Sequence, residues 1–217
     1  MIKKIIIAAA ALLVTCTAVF AESDIIIVPG YAGSKLYSDS DFANRVFGEQ
    51  SDLAGLAVFD GALYAREPIN LQKAAEYGTG NRYKPLANAL CAQYPKRKVY
   101  FFSYDFTKGT ESAARSLHDF IVSLEEKPVL ICDSMGGLAA AKMFNLYGNF
   151  ALAEKTIFVG VPMSGSVYAS VAADMGYGLL PGISALYPTQ QYAQDENTDF
   201  AYKSDFNALE FMKNCGN

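Results

Sequence analysis

Histidine is the scarcest chemically useful residue here: His118 is the only one among 217 residues. A single imidazole cannot build a histidine metal centre, and no Cys, Asp or Glu spacing supplies another. Neither a metal nor a cofactor is therefore expected. Positive charge is not in excess either. Lys and Arg number 18 against 22 Asp and Glu, a net charge of −4, so nothing favours nucleic acid as a partner. Long apolar runs are also missing. The stretch Ile5 to Val14 falls short of the roughly 20 residues that a membrane span requires. Internal repeats and low-complexity linkers are absent as well. What remains is a chain that is 52% apolar, enough to bury a sizeable core in one domain of ordinary size.

The start of the chain has its own grammar. Lys3 and Lys4 precede the short apolar run, and Val19-Phe20-Ala21 ends in a small residue before Glu22. That order reads as a secretory signal peptide over residues 1–21, leaving 22–217 as a single exported domain, extracellular or periplasmic. Leu13-Val14-Thr15-Cys16 is a poor version of a lipoprotein box, because Thr15 sits badly before the cysteine, so anchoring at Cys16 is the lesser reading. Cleavage leaves Cys91, Cys132 and Cys215, and an odd number keeps at least one thiol free. Cys132 lies in an apolar run and is expected to be inert; Cys91 and Cys215 can pair, though nothing requires it.

Compact apolar blocks alternate with helical patterns. Asp24–Val28, Lys98–Ser103, Pro128–Cys132 and Thr156–Val161 read as strands buried on both faces, expected side by side in one sheet. Pro85–Tyr94 begins with a favourable helix-start proline. Glu111–Leu124 sets Ala114, Leu117, Ile121 and Leu124 on one face, and Gly136–Tyr147 follows as a third helix. This alternation predicts an α/β fold with a mostly parallel, doubly wound sheet. Residues 37–80 break the rhythm with scattered Phe42, Phe47, Leu56, Phe59 and Tyr64; they read as an insertion, lid-like or simply covering a sheet edge. Residues 163–217 show no clear further strand.

Chemistry concentrates where Val129-Leu130-Ile131-Cys132-Asp133 runs into Ser134-Met135-Gly136-Gly137. A strand, a serine and two glycines at the head of a helix read as a nucleophile elbow, which projects a hydroxyl from the sheet towards a helix N-terminus. The plainer reading is a helix-capping serine. The strict G-x-S-x-G pattern is broken at its first position, where Cys132 replaces glycine. A second loop, Pro29-Gly30-Tyr31-Ala32-Gly33-Ser34, ends the first strand, and its plainer reading is a Pro-Gly turn. Tyr104-Asp105-Phe106 follows the second strand, with Asp105 expected to tie the loop or cap the next helix. Val159–Ser166 ends the fourth strand.

In this order the motifs resemble the lecithin:cholesterol acyltransferase group of α/β-hydrolases and its related phospholipases. The likeness rests on P-G-x-x-G-S-x-L at Pro29–Leu36, Y-D-aromatic at Tyr104–Phe106, M-G-G after Ser134, and P-x-x-G-S at Pro162–Ser166. Leu180–Thr189 is similar to the segment that follows, so the match runs from about Asp24 to about Gln191. It implies an α/β-hydrolase sheet, here lacking its last strands, and Ser134 as nucleophile. The backbone amides of Tyr31 and Met135 would form the oxyanion hole. The substrate would be a lipid acyl ester, with membrane-surface contact. The family's acid and histidine lie beyond the matched region. His118 falls mid-helix before the serine, on a face away from the strand tips. Asp174, Asp195 and Asp199 follow the serine but do not rebuild a relay without a histidine. Asp133 stands where relatives often have histidine and is expected to meet solvent or the loop after the first strand. Three readings follow: a secreted esterase, lipase or acyltransferase, shortened and weakly active; a non-catalytic remnant that binds an acyl or lipid ligand; or a purely structural domain.

Overall fold

The computed structural model describes residues 22–48, 55–56, 59–73, 81–166, 169 and 182–187. The leader 1–21, Cys16, Cys215, Asp174, Asp195, Asp199 and most of 163–217 lie outside the described residues.

Four apolar blocks become strands β1 (Ile25–Val28), β5 (Val99–Phe101), β6 (Val129–Asp133) and β7 (Lys155–Val159). They are adjacent and parallel in the order β5-β1-β6-β7, as expected. Helices α1 (Lys84–Gln93), α2 (Gly109–Val122) and α3 (Met135–Tyr147) are the crossovers. The period of a strand sends successive side chains to opposite faces. Ile25 and Ile27 meet Val99, Phe101 and Ala87 of α1 on one face. Ile26 and Val28 meet Leu130, Cys132, Leu117 of α2 and Met143 of α3 on the other. The division follows from connectivity: α1 links β1 to β5 in one direction across the sheet, whereas α2 and α3 carry the chain the other way. Right-handed crossovers then place them on opposite faces. The strand order reverses between β1 and β6, where α/β sheets open a crevice beyond their carboxyl ends.

The insertion is anchored in the core as well as at the sheet edge. Leu36, Phe47 and Leu56 are fully buried in the same core as Ile26 and Phe106. Strands β2 (Leu36–Tyr37) and β3 (Arg45–Phe47) pair antiparallel. Strand β4 (Ile69–Asn70) then joins the main sheet antiparallel to β5, an edge that two residues could not announce in the sequence.

The exits of β1 and β5 are tied together. The Tyr104 hydroxyl donates to the Pro29 carbonyl at 2.8 Å, and the Tyr104 amide donates to Ser34 Oγ at 3.1 Å, both buried. Burial holds the Tyr104 phenol far above its ordinary range, so it stays a donor. Tyr104→Phe should therefore cost about 1–3 kcal/mol in urea unfolding, because the ring still fits but a buried carbonyl loses its partner.

Candidate functional site

Ser134 joins β6 to α3 with φ 49° and ψ −120°, a backbone conformation that a residue with a Cβ rarely adopts. Its side chain makes no capping hydrogen bond to the helix it precedes, which removes the helix-cap reading. Strain of this kind costs on the order of 1–3 kcal/mol and persists only when neighbours impose it. They do so here. The Ser134 amide donates to the Val159 carbonyl of β7 at 2.9 Å, and the Gly137 amide donates back to the Ser134 carbonyl at 2.9 Å. Absent side chains matter equally. A Cβ on Gly136 would lie 2.5 Å from the carbonyl oxygens of Val28 and Pro29, and one on Gly30 would lie 2.9 Å from the Ser134 Cβ. The ends of β1 and β6 thus touch at the reversal of strand order, and Ser134 stands at the contact.

The sequence-selected neighbours gather here in part. Met135 is the first residue of α3 and fully buried. Its amide belongs to the first turn, whose N–H groups have no carbonyl within the helix to bond. Tyr31 follows Gly30 in the turn after β1, where the Gly33 amide donates to the Gly30 carbonyl at 3.0 Å and Ala32 takes φ 57°. The Tyr31 ring stands edge-on to Phe106 at 5.0 Å, and burial pushes its phenol up to about 12.

Asp133 adds a contact that the sequence did not disclose. Its carboxylate borders Gly30, as expected of the loop after β1, but its hydrogen-bond partners come from the segment leading into α1. Tyr83 Oη donates to Asp133 Oδ2 at 2.5 Å and accepts the Gly30 amide at 2.8 Å. Arg82 approaches the same carboxylate oxygen at 3.2 Å from a side chain that is 66% exposed, so it adds little beside the phenol. Burial first, and then the bond to Asp133, raise the Tyr83 phenol well above its ordinary value. No local pattern links residues 83 and 133. The only hint was a carboxylate beside a serine, which needed a partner.

His118 is where the sequence put it, on the face of α2 and away from the strand tips. Its ring stacks on Tyr147 at 3.5 Å, and its Nδ1 lies 3.2 Å from Asp119. Tyr147 ends α3 while Ser134 precedes it, and 13 helical residues separate the two by about 20 Å. The imidazole therefore cannot take the Ser134 proton in this arrangement. Asp105 caps the turn Phe106–Lys108 by accepting the Thr107 amide at 3.0 Å, as expected. Cys132 is a buried thiol pushed up by desolvation, and neither it nor Cys91 is bonded to another cysteine among the described residues.

No protein-family model matches the chain, and no curated protein matches it. Two solved structures of the Bacillus licheniformis lipase BlEst2 are similar to it. The propeptide form has a TM-score of 0.46 and 17% identity over 83% of this chain and 33% of that one. The mature form has a TM-score of 0.47 and 16% identity over 88% of this chain and 63% of that one. The chain thus spans less than two thirds of either structure.

Tyr83→Phe should leave the Gly30 amide and one Asp133 lone pair unmet, costing about 1–3 kcal/mol. It should also change the response to alkali. The folded state keeps a phenolic proton that the unfolded chain releases near 10.0, so this stabilisation is whole below that pH and fades as pH rises towards the raised value. Urea titrations between neutrality and strong alkali should show a shallower alkaline decline in Tyr83→Phe than in the parent.

Proposed function

We propose that the chain is a secreted acyl-ester hydrolase centred on Ser134. The observation that carries the reading is the strained backbone of Ser134 at the point where β1 and β6 meet, with its hydroxyl released from capping. In this reading Ser134 Oγ attacks the ester carbonyl, and the amides of Tyr31 and Met135 stabilise the resulting oxyanion. The N-terminus of α3 adds its dipole to the same charge. An apolar acyl group is favoured because Ile157 and Val159, on the strand beside Asp133, are 42% and 48% exposed. Export through residues 1–21 and contact with a membrane surface belong to the same proposal, as does the choice of water or an alcohol as acyl acceptor.

The position of His118 favours a second reading, in which the site binds an acyl or lipid ligand without turning it over. Serine without a base is a weak nucleophile, and its leaving alcohol has no acid. An oxyanion hole and binding alone leave roughly 10³–10⁴-fold over water in serine proteases stripped of their triad.

Slow esterase activity is the expected outcome for the purified chain on p-nitrophenyl esters of rising acyl length. A fluorophosphonate should label Ser134, and Ser134→Ala should abolish both labelling and turnover. His118→Ala should leave the rate unchanged. Turnover that survives Ser134→Ala would end the nucleophile reading. Saturable binding of a long-chain ester with neither turnover nor labelling would select the second reading.

A further inference from the structure

Between residues 63–68 and helix α2 lies a cavity of about 510 Å³ that Tyr31, Ser134 and Met135 do not line. Its polar groups are incompletely satisfied. Ser103 is only 5% exposed, and its Oγ has no hydrogen-bond partner among the described residues. Arg66 Nε is buried without a hydrogen-bond partner among the described residues, while its guanidinium lies over the rings of Tyr37 and Phe42 at 5.0 and 5.6 Å. Asp105 uses Oδ1 for the turn cap; its Oδ2 is buried with no hydrogen bond, although Lys108 Nζ lies 3.3 Å away as an ion pair. Buried polar groups in folded proteins are ordinarily bonded, so two unpaired groups, Ser103 Oγ and Arg66 Nε, beside a carboxylate oxygen held by an ion pair alone, call for a common explanation.

We propose that this cavity binds a neutral polyhydroxylated ligand, a sugar or cyclic polyol. The donor and acceptor set selects the chemistry. Arg66 Nε–H can only donate, the Asp105 carboxylate only accepts, and Ser103 does both. A ligand hydroxyl can meet each of them, as a methyl or methylene group cannot. Helix α2 extends the pattern by presenting Ser112 and Ser116 to the same space. Charge argues against an anion: Arg66 and Lys108 are outnumbered by Glu67, Asp105 and Asp119 among the lining residues. Phe102 and Phe120 also line the cavity and offer apolar surface to the carbon-bound hydrogens of a ring. The volume falls in the range of about 300–1,000 Å³ typical of small-ligand sites. The proposal does not depend on the chemistry at Ser134.

Saturation-transfer NMR and calorimetry on the full chain would test it with glucose, cellobiose and myo-inositol, and with inorganic phosphate as the anionic probe. Saturable binding of at least one neutral probe is expected. Ser103→Ala should weaken it by at least about fivefold without lowering the melting temperature, since the lost hydroxyl has no protein partner. Ser116→Phe, on the exposed side of α2, should block the cavity, and Ser134→Ala should bind like the parent. Failure of every neutral probe to bind saturably would mean that water alone occupies the space and would overturn the proposal. Saturation by phosphate alone would do the same, as would binding that both Ser103→Ala and Ser116→Phe leave intact.

Discussion

The structure depends on how closely two strand ends approach each other. β1 and β6 are neighbours in register, with Val28 opposite Cys132, and the chain turns sharply at the end of both. The backbone carbonyls of Val28 and Pro29 press against the first turn of α3 so closely that Gly136 has no room for a Cβ, and Gly30 has none against Ser134. That contact fixes where α3 begins and forces Ser134 into its unusual backbone angles. It also sets Asp133 within reach of Tyr83, whose hydroxyl bridges the Gly30 amide and the carboxylate. Sheet, helix start and bridge are consequences of one constraint. A bulkier residue at any of these points must move backbone, which the surrounding core resists.

How much of this was legible in the sequence varied with the range of the interaction. The parallel strands announced themselves as apolar blocks, but the expected cover on both faces holds for β1 and not for β7, whose Ile157, Phe158 and Val159 are exposed. α2 was legible from the spacing of Ala114, Leu117 and Ile121, all buried as that spacing requires. The strand-to-helix turn at Ser134 was legible as a composition, yet its backbone strain was not, since Ser-x-Gly before a helix also suits an ordinary cap. The anchoring of the insertion had no signature, because Phe47 and Leu56 follow no period, although both are buried to 1% or less. Scattered apolar residues in a long segment can anchor it to a core that lies elsewhere in the sequence. The Tyr83–Asp133 bridge joins positions 50 residues apart and had no local signature.

His118 illustrates the difference between carrying a functional group and placing it. The sole imidazole of the chain is spent on stacking against Tyr147, which fastens α2 to the far end of α3. That contact lies between two helices that share one core, in which Ala113, Ala114 and Leu117 of α2 and Ala140, Met143 and Phe144 of α3 are buried together. Moving the ring to Ser134 would require opening this packing over the whole length of α3. The helix pair and the serine turn are therefore independent pieces of architecture: one stabilises a face of the sheet, and the other shapes its carboxyl edge.

The persistence of strain at Ser134 bears on why the turn is built this way. A serine that merely capped α3 would sit in an extended conformation and accept an amide from the first turn, gaining stability instead of losing it. This serine does neither. The surrounding glycines carry a second cost, since each loses more backbone freedom on folding than an alanine would. Neither cost is recovered through a hydrogen bond of the hydroxyl to the helix. The arrangement makes physical sense if the hydroxyl is held outward for something that is not part of the fold. An outlier of this kind, observed first and interpreted second, is what the proposed role of Ser134 would explain.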